Sequence, residues 1–226
     1  MSNELIWFIF ALVNFVLIVI SYKLFGKYGL IAWVAMGTVL ANIQVVKFIE
    51  IFGLTATLGN IMFGTLFLAT DALNEKYGVK EAKRAVYVGF FSLLAMVIIM
   101  QFVLRFTEYG DGDVQEAFEM IFGLLPRLAL GSLTAYLISQ ILDVHLFQKI
   151  REKFPSDKML FVRNLGSTMI SQFVDSIVFV PIAFLGVVPA NVLWQIILTT
   201  YIIKIMVAAL DTPFIYLMKH IKPLNM

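Results

Sequence analysis

The sequence predicts an all-α integral membrane protein, a polytopic bundle of six to seven transmembrane helices. Of its 226 residues, 61% are hydrophobic and 14% are charged, whereas soluble domains average about 45–50% apolar and about 25% charged residues. Apolar segments close to the ~20 residues that span a bilayer recur along the whole chain. The links between them are short, and no Ser/Pro-rich linker marks a second domain. We therefore expect a single transmembrane domain over residues 1–226.

Seven apolar segments are candidates for membrane crossings. A helix satisfies its backbone hydrogen bonds internally, as the lipid interior requires. The first segment follows Glu4 and lacks a basic start and a cleavage site, so we interpret it as a retained helix and not a signal peptide. In chain order, the segments are Leu5–Ser21, Gly29–Val46, Ile51–Thr70, Ala85–Leu104, Pro126–Asp143, Asn164–Val187 and Asn191–Met218.

Basic residues are concentrated in alternate links. Thirteen of the 17 lysines and arginines fall in one set of links: Lys23, Lys27, Lys76, Lys80, Lys83, Arg84, Lys149, Arg151, Lys153, Lys158, Arg163, Lys219 and Lys222. The opposite set includes an acidic segment between Arg105 and Leu125. The positive-inside rule then predicts an outside N-terminus and a cytoplasmic C-terminus.

The sixth segment carries a polar stripe. At 100° per residue, its polar side chains fall within about 140° of arc; they are Asn164, Ser167, Thr168, Ser171, Gln172 and Asp175. An aspartate near the middle of a membrane helix costs about 2.5–3.5 kcal/mol on insertion scales. This face must therefore contact protein or water.

Other segments have polar faces too, and stripes that meet inside a bundle would form a polar cavity. A structural ion pair would by itself account for Asp175 and Lys204, and solvated helix ends would account for Asp71 and Asp143. The alternative to these structural explanations is that the polar stripes converge on a functional site, because ionisable groups inside the membrane are functional candidates. The predicted substrate-binding residues are Asn60, Asp71, Gln140, Asp143, Gln172, Asp175 and Lys204.

The motifs of several enzyme classes are absent from the sequence. Without Cys there is no thiol catalysis or Cys-ligated metal, and no HExxH, GxSxG or GxxxxGK[ST] motif occurs. We expect no enzyme activity, no cofactor and no metal. A small-molecule transporter agrees best with these features, and a structural membrane scaffold is the alternative.

Three runs resemble the queuosine precursor transporter family, also called the vitamin uptake transporter family. They are Phe67-Leu-Ala-Thr-Asp71 with Glu75-Lys-Tyr-Gly78, Ser139-Gln-Ile-Leu-Asp-Val-His-Leu-Phe147, and Ser171-Gln-Phe-Val-Asp-Ser176. The second run is the most specific, and Lys204 also matches a family position. The resemblance covers roughly Gly29 to the C-terminus. It implies a six-helix transporter core at residues 29–226, with residues 1–28 as an extra N-terminal helix.

The resemblance also implies a substrate, namely the deazaguanine bases that are precursors of queuosine. The chain would import them across a bacterial or archaeal plasma membrane, with the lipid bilayer as its surroundings and no direct contact with nucleic acid. Homo-oligomerisation stays open. The alternative is a substrate-binding subunit of an energy-coupling-factor importer, but the Ala-xxx-Ala spacing used for docking in that class is absent.

Overall fold

The structure is a computed structural model that describes residues 2–51, 53–109, 112–123, 125–186 and 189–224. Helices dominate this part of the chain, as the composition predicts. The elements are α1 (Asn3–Gln44), β1 (Phe48–Ile51), β2 (Leu54–Thr57), α2 (Asn60–Tyr77), α3 (Val79–Val103), α4 (Asp113–Phe118), a π-helix (Glu119–Gly123), α5 (Leu125–Lys153), a 3-10 turn (Asp157–Met159), α6 (Leu160–Phe184) and α7 (Ala190–His220).

Helix α1 consists of two helices that meet at a sharp break. Gly26 adopts φ 57° and ψ −139°, a conformation that glycine reaches without a steric penalty. The Ser21 hydroxyl donates to the carbonyl of Gly29 at 3.1 Å, although eight residues of straight helix would separate them by about 12 Å. The two halves of α1 therefore run in opposite directions, which agrees with the first two predicted crossings. The domain boundary at residue 28 stays a prediction.

The predicted crossing Ile51–Thr70 is wrong in its first half. Strands β1 (Phe48–Ile51) and β2 (Leu54–Thr57) form an antiparallel hairpin in which Ile51 pairs with Leu54, and Phe52 lies outside the described residues. Gly53 takes a φ of 72° in the turn. The β-branched residues here suit a strand as well as they suit a helix. Helix α2 begins only at Asn60 and then continues past Thr70 to Tyr77.

Helix α2 is the centre of the bundle. Of its 18 residues, 15 are buried, and it packs against α1, α3, α5 and α7. The Trp33 indole N–H donates to the Thr65 hydroxyl at 2.9 Å, which ties α1 to α2. Small residues allow close approach, because a Cβ at Gly37 would lie 2.7 Å from Leu66. A helix surrounded by protein can carry polar residues that lipid would reject.

The outer helices are the apolar ones. Five helices in the described chain are long and apolar enough to cross a membrane; they lie in α1, α3, α5, α6 and α7. Large apolar side chains on α1 and α3 are exposed, such as Leu12 and Phe91. Together with the break in α1 and the central α2, this is the polytopic all-α membrane fold that the sequence predicts. The last described residue of the Asn164–Val187 crossing is Gly186, since Val187 lies outside the described residues.

The bundle has two chemically different ends. The basic end comprises residues 23–27, 76–84, 149–163 and 219–224, where the Leu224 N–H donates to the carbonyl of Lys23 at 2.8 Å. The acidic end comprises residues 45–51, 53–59, 104–109 and 112–123, where the Asn3 amide donates to the carbonyl of Glu50 at 3.1 Å. The alternating links of the sequence are thus sorted onto opposite ends of one bundle.

Candidate functional site

An ion pair joins α6 to α7 in the middle of the bundle. The Lys204 ammonium donates to Oδ2 of Asp175, and the Ser139 hydroxyl donates to Oδ1 at 3.0 Å. The Lys204 side chain is 5% exposed and that of Asp175 is 14% exposed. Lys204 also lies 5.7 Å from the centroid of the Phe63 ring. Both carboxylate oxygens of Asp175 therefore accept a hydrogen bond. The ion pair between Asp175 and Lys204, which was one explanation of these residues from the sequence, is present.

A second group of acids lies nearer the basic end. Asp71 from α2, Asp143 from α5 and Asp211 from α7 are all buried, at 0–1% exposure. The Asp71 and Asp143 carboxyl groups lie beside each other. The Ser171 hydroxyl donates to Asp143 at 2.8 Å, and the Asn164 amide donates to Asp211 at 2.7 Å.

This placement overturns the interpretation of Asp71 and Asp143 as solvated helix ends. Helix α2 runs six residues beyond Asp71 and α5 runs ten beyond Asp143. The extra turns lie between both carboxyl groups and the basic end. Asp71 and Asp143 are interior residues, and both oxygens of Asp71 lack a hydrogen-bond donor among the described residues.

Two glutamines line the region between these groups. The Thr70 hydroxyl donates to Oε1 of Gln140 at 3.3 Å, while the Gln140 amide nitrogen has no acceptor in the described chain. Gln172 lies one turn before Asp175 on α6, and its side-chain oxygen is buried without a donor. Both side chains are at most 1% exposed. Gln140 and Gln172 therefore each keep one buried polar atom without a hydrogen-bond partner among the described residues.

Asn60 is the predicted site residue nearest the acidic end of the bundle. It begins α2, eleven residues before Asp71, which corresponds to about 16 Å along a helix. It is 2% exposed, and its amide nitrogen has no acceptor among the described residues. Asn60 precedes Phe63 by one helical turn, and the Phe63 ring centroid lies 5.7 Å from the Lys204 ammonium.

The basic end holds an ion-pair network that the predicted site residues do not include. The Glu75 carboxylate accepts from Arg163 at 2.9 Å and from Lys219 at 2.6 Å, and Arg151 lies 3.6 Å away. These cations come from α6, α7 and α5. Lys219 also donates to Asp157 at 2.6 Å, which holds the pKa of that exposed carboxyl below its usual value. We call Glu75, Arg151, Arg163 and Lys219 the Glu75 network.

Sequence signals for the residues outside the predicted set were present but weak. Glu75 follows Asp71 by four residues, so the two share a helix face. Arg163 directly precedes the predicted sixth segment and was counted as a link residue, whereas α6 begins at Leu160. Asp211 shares a helix side with Lys204, and its partner Asn164 is revealed only by the packing of α6 on α7.

In the part of the chain that the structure describes, no group of three or more His, Cys, Asp or Glu side chains could hold a metal ion. The site instead offers carboxylates, amides and hydroxyls, which recognise a solute through hydrogen bonds. A buried polar site inside a polytopic helical bundle is typical of membrane transporters.

The comparisons with known proteins give the family. The family model described as "Putative vitamin uptake transporter" matches residues 57–218, and the chain belongs to this family. A protein of Bacillus subtilis (strain 168) named "Probable queuosine precursor transporter" is 50% identical over 223 residues, which cover 99% of this chain and 97% of that protein.

Two more distant relatives bear similar names. The "Queuosine precursor transporter" of Escherichia coli (strain K12) is 26% identical over 163 residues, covering 70% of each chain. A "Probable queuosine precursor transporter" of Haemophilus influenzae is 26% identical over 133 residues, covering 59% of this chain and 54% of that protein. No solved structure matches this chain.

Proposed function

We propose that this chain imports queuosine precursors, as deazaguanine bases, across the plasma membrane without hydrolysing ATP. The observation that carries the proposal is the buried polar site between α5, α6 and α7, in a chain 50% identical over nearly its whole length to a protein named as such a transporter. A guanine-like edge offers a ring N–H and an exocyclic NH₂ side by side, and one carboxylate can accept both.

Asp175 is the carboxylate that we assign to this edge, with Lys204 as its counter-ion in the empty site. Gln140 follows Ser139, whose hydroxyl already donates to Asp175, and Gln172 lies one helical turn from Asp175. The two buried amides, each with a free group, would complete the hydrogen bonds of the carbonyl and ring nitrogen of the base. Asp71 and Asp143 complete the polar surface on the basic side.

Purified protein in liposomes should accumulate or equilibrate labelled precursor without a partner subunit. The cyano and aminomethyl precursors are the substrates to compare, with protein-free liposomes as the control and ATP omitted. The expected result follows from the absence of a GxxxxGK[ST] loop in this sequence. A requirement for added ATPase subunits would contradict the proposal and favour an energy-coupling-factor importer.

We further propose that the basic end faces the cytoplasm, so that the N-terminus is outside. Ser156 is exposed at the basic end and Tyr109 is fully exposed at the acidic end. The chain has no native Cys, so a single introduced Cys reports its own side. In intact cells Ser156→Cys should resist an impermeant thiol reagent while Tyr109→Cys reacts. The reverse labelling pattern would show the opposite orientation.

A further inference from the structure

The three buried aspartates lack counter-ions. In the described chain no Lys, Arg or His lies within ion-pair distance of Asp71, Asp143 or Asp211. The cations on neighbouring helices are engaged elsewhere: Lys204 with Asp175, and Arg163, Arg151 and Lys219 with Glu75. Another source of positive charge is needed to neutralise this group.

The hydrogen-bond pattern identifies where that charge belongs. Both oxygens of Asp71 and Oδ2 of Asp143 are buried without a donor among the described residues, and the two carboxyl groups lie side by side. Two adjacent carboxylates away from water cannot both remain ionised easily. A proton on either one turns an acceptor into a donor, so it supplies the hydrogen bond that is missing and removes one negative charge.

A further unpartnered side chain adjoins the pair. Gln140 precedes Asp143 by one helical turn and accepts from Thr70, the neighbour of Asp71. Its amide nitrogen is fully buried and has no acceptor in the described residues. This amide lies between the aspartate pair and Ser139, which contacts Asp175. The aspartate pair and the proposed substrate site are therefore connected through a single turn of α5.

We infer that Asp71 and Asp143 form a proton-binding site whose proton is carried with the substrate, so that import is driven by the proton gradient. This inference rests on the proposed function and adds the coupling ion. A proton is favoured over a transition-metal ion, because among the described residues no group of three or more His, Cys, Asp or Glu side chains could hold such an ion. Asp211 and Glu75 face the same interior, and Asp211 is held by Asn164.

The charged and titratable groups on the surrounding helices do not neutralise this site. On α6 and α7, Arg163, Lys204 and Lys219 are ion-paired with Glu75 or Asp175, and on α2 Lys76 donates to the carbonyls of Met218 and Ile221. On the far side of α5, His145 contacts Lys83 of α3 at 2.8 Å, and it is exposed. On α1, Tyr22 stacks against Lys76 at 5.0 Å. A proton shared by Asp71 and Asp143 would leave the pair with a single negative charge.

The first test needs no substrate. Infrared spectra of the purified protein should contain the carbonyl stretch of a protonated carboxylic acid at neutral pH, and the band should disappear as pH is raised. Asp71→Asn and Asp143→Asn should each remove a component of this band that Asp211→Asn leaves in place. Asp113→Asn, at an exposed position of the acidic end, should leave it unchanged. A wild-type protein without the band, or a band that both substitutions leave unchanged, would overturn the inference.

The second test measures coupling in liposomes with the membrane potential clamped at zero. With one proton per neutral substrate, a gradient of one pH unit should raise accumulation about tenfold, and a lumenal dye should report acidification during uptake. Asp143→Asn should abolish the response to the gradient. Uptake that ignores the pH gradient, or follows a sodium gradient instead, would overturn the inference. Absence of uptake under every gradient would contradict the proposed function, and the infrared result then decides on the proton site alone.

Discussion

The double variant Asp175→Asn, Lys204→Met should fold and insert but transport no precursor. Each single substitution leaves one buried charge without its partner, which costs about 3–5 kcal/mol in buried pairs. The double variant removes both charges, and such neutralisation is often tolerated. We therefore expect both single variants to melt well below the wild type and the double variant to melt close to it.

Measurements of substrate binding distinguish a recognition role of Asp175 from a purely structural role of the Asp175–Lys204 pair. An amide can accept one of the two donors of a guanine-like edge but offers an N–H to the other. Loss of hydrogen bonds to a charged group, worth about 1.5–3 kcal/mol, should weaken precursor binding roughly 10- to 150-fold in the double variant. Melting temperature, precursor binding and uptake should be measured for the two single variants and the double variant. Together these measurements distinguish the two roles. Recovery of uptake in the double variant would exclude Asp175 as the recognition residue.

Glu75→Gln should be among the most destabilising single substitutions in the chain. The Arg163 side chain is 0% exposed and would keep its charge without an anion. Arg163 also donates to the carbonyls of Phe154 and Pro155 at 3.0 and 3.1 Å, so it cannot turn to solvent without releasing the end of α5. Breaking a buried pair of this kind costs about 3–5 kcal/mol, which corresponds to a fall in Tm on the order of 10 °C.

The matched control for Glu75 is the exposed pair between Glu81 and Arg84. Arg84 is 55% exposed and donates to Glu81 at 3.0 Å. Pairs at solvent-accessible positions contribute about 0–1 kcal/mol, so Arg84→Met should leave the Tm nearly unchanged. Thermal unfolding in detergent compares the two variants directly. Equal melting temperatures for Glu75→Gln and Arg84→Met would show that the Glu75 network does not hold the basic end together.

The network has a consequence for transport as well. It connects four helices at one end of the bundle, since Glu75 belongs to α2 and its three cations to α5, α6 and α7. The acidic end has no equivalent four-helix ion-pair network among the described residues. Access from the basic end would require these ion pairs to separate.

The sequence by itself determined the membrane class, the approximate crossings and the segregation of basic residues. These properties depend on how each segment partitions between water and lipid, and partitioning is a local property of composition. The sequence also indicated that Asp175 and Lys204 could pair. An unpaired charge near the middle of the membrane is so unfavourable that a partner is expected.

Only the tertiary structure decided which polar groups meet. The apolar residues of the predicted crossing Ile51–Thr70 suit a helix or a strand, and the structure places Phe48–Ile51 and Leu54–Thr57 in a hairpin. The burial of Asp71 and Asp143 depends on how far α2 and α5 continue beyond them. The pairing of Glu75 with Arg163 joins residues 88 positions apart. Contacts between helices depend on their relative rotation and depth, which hydropathy does not encode, so the aspartate pair and the Glu75 network emerged only once the helices were packed together.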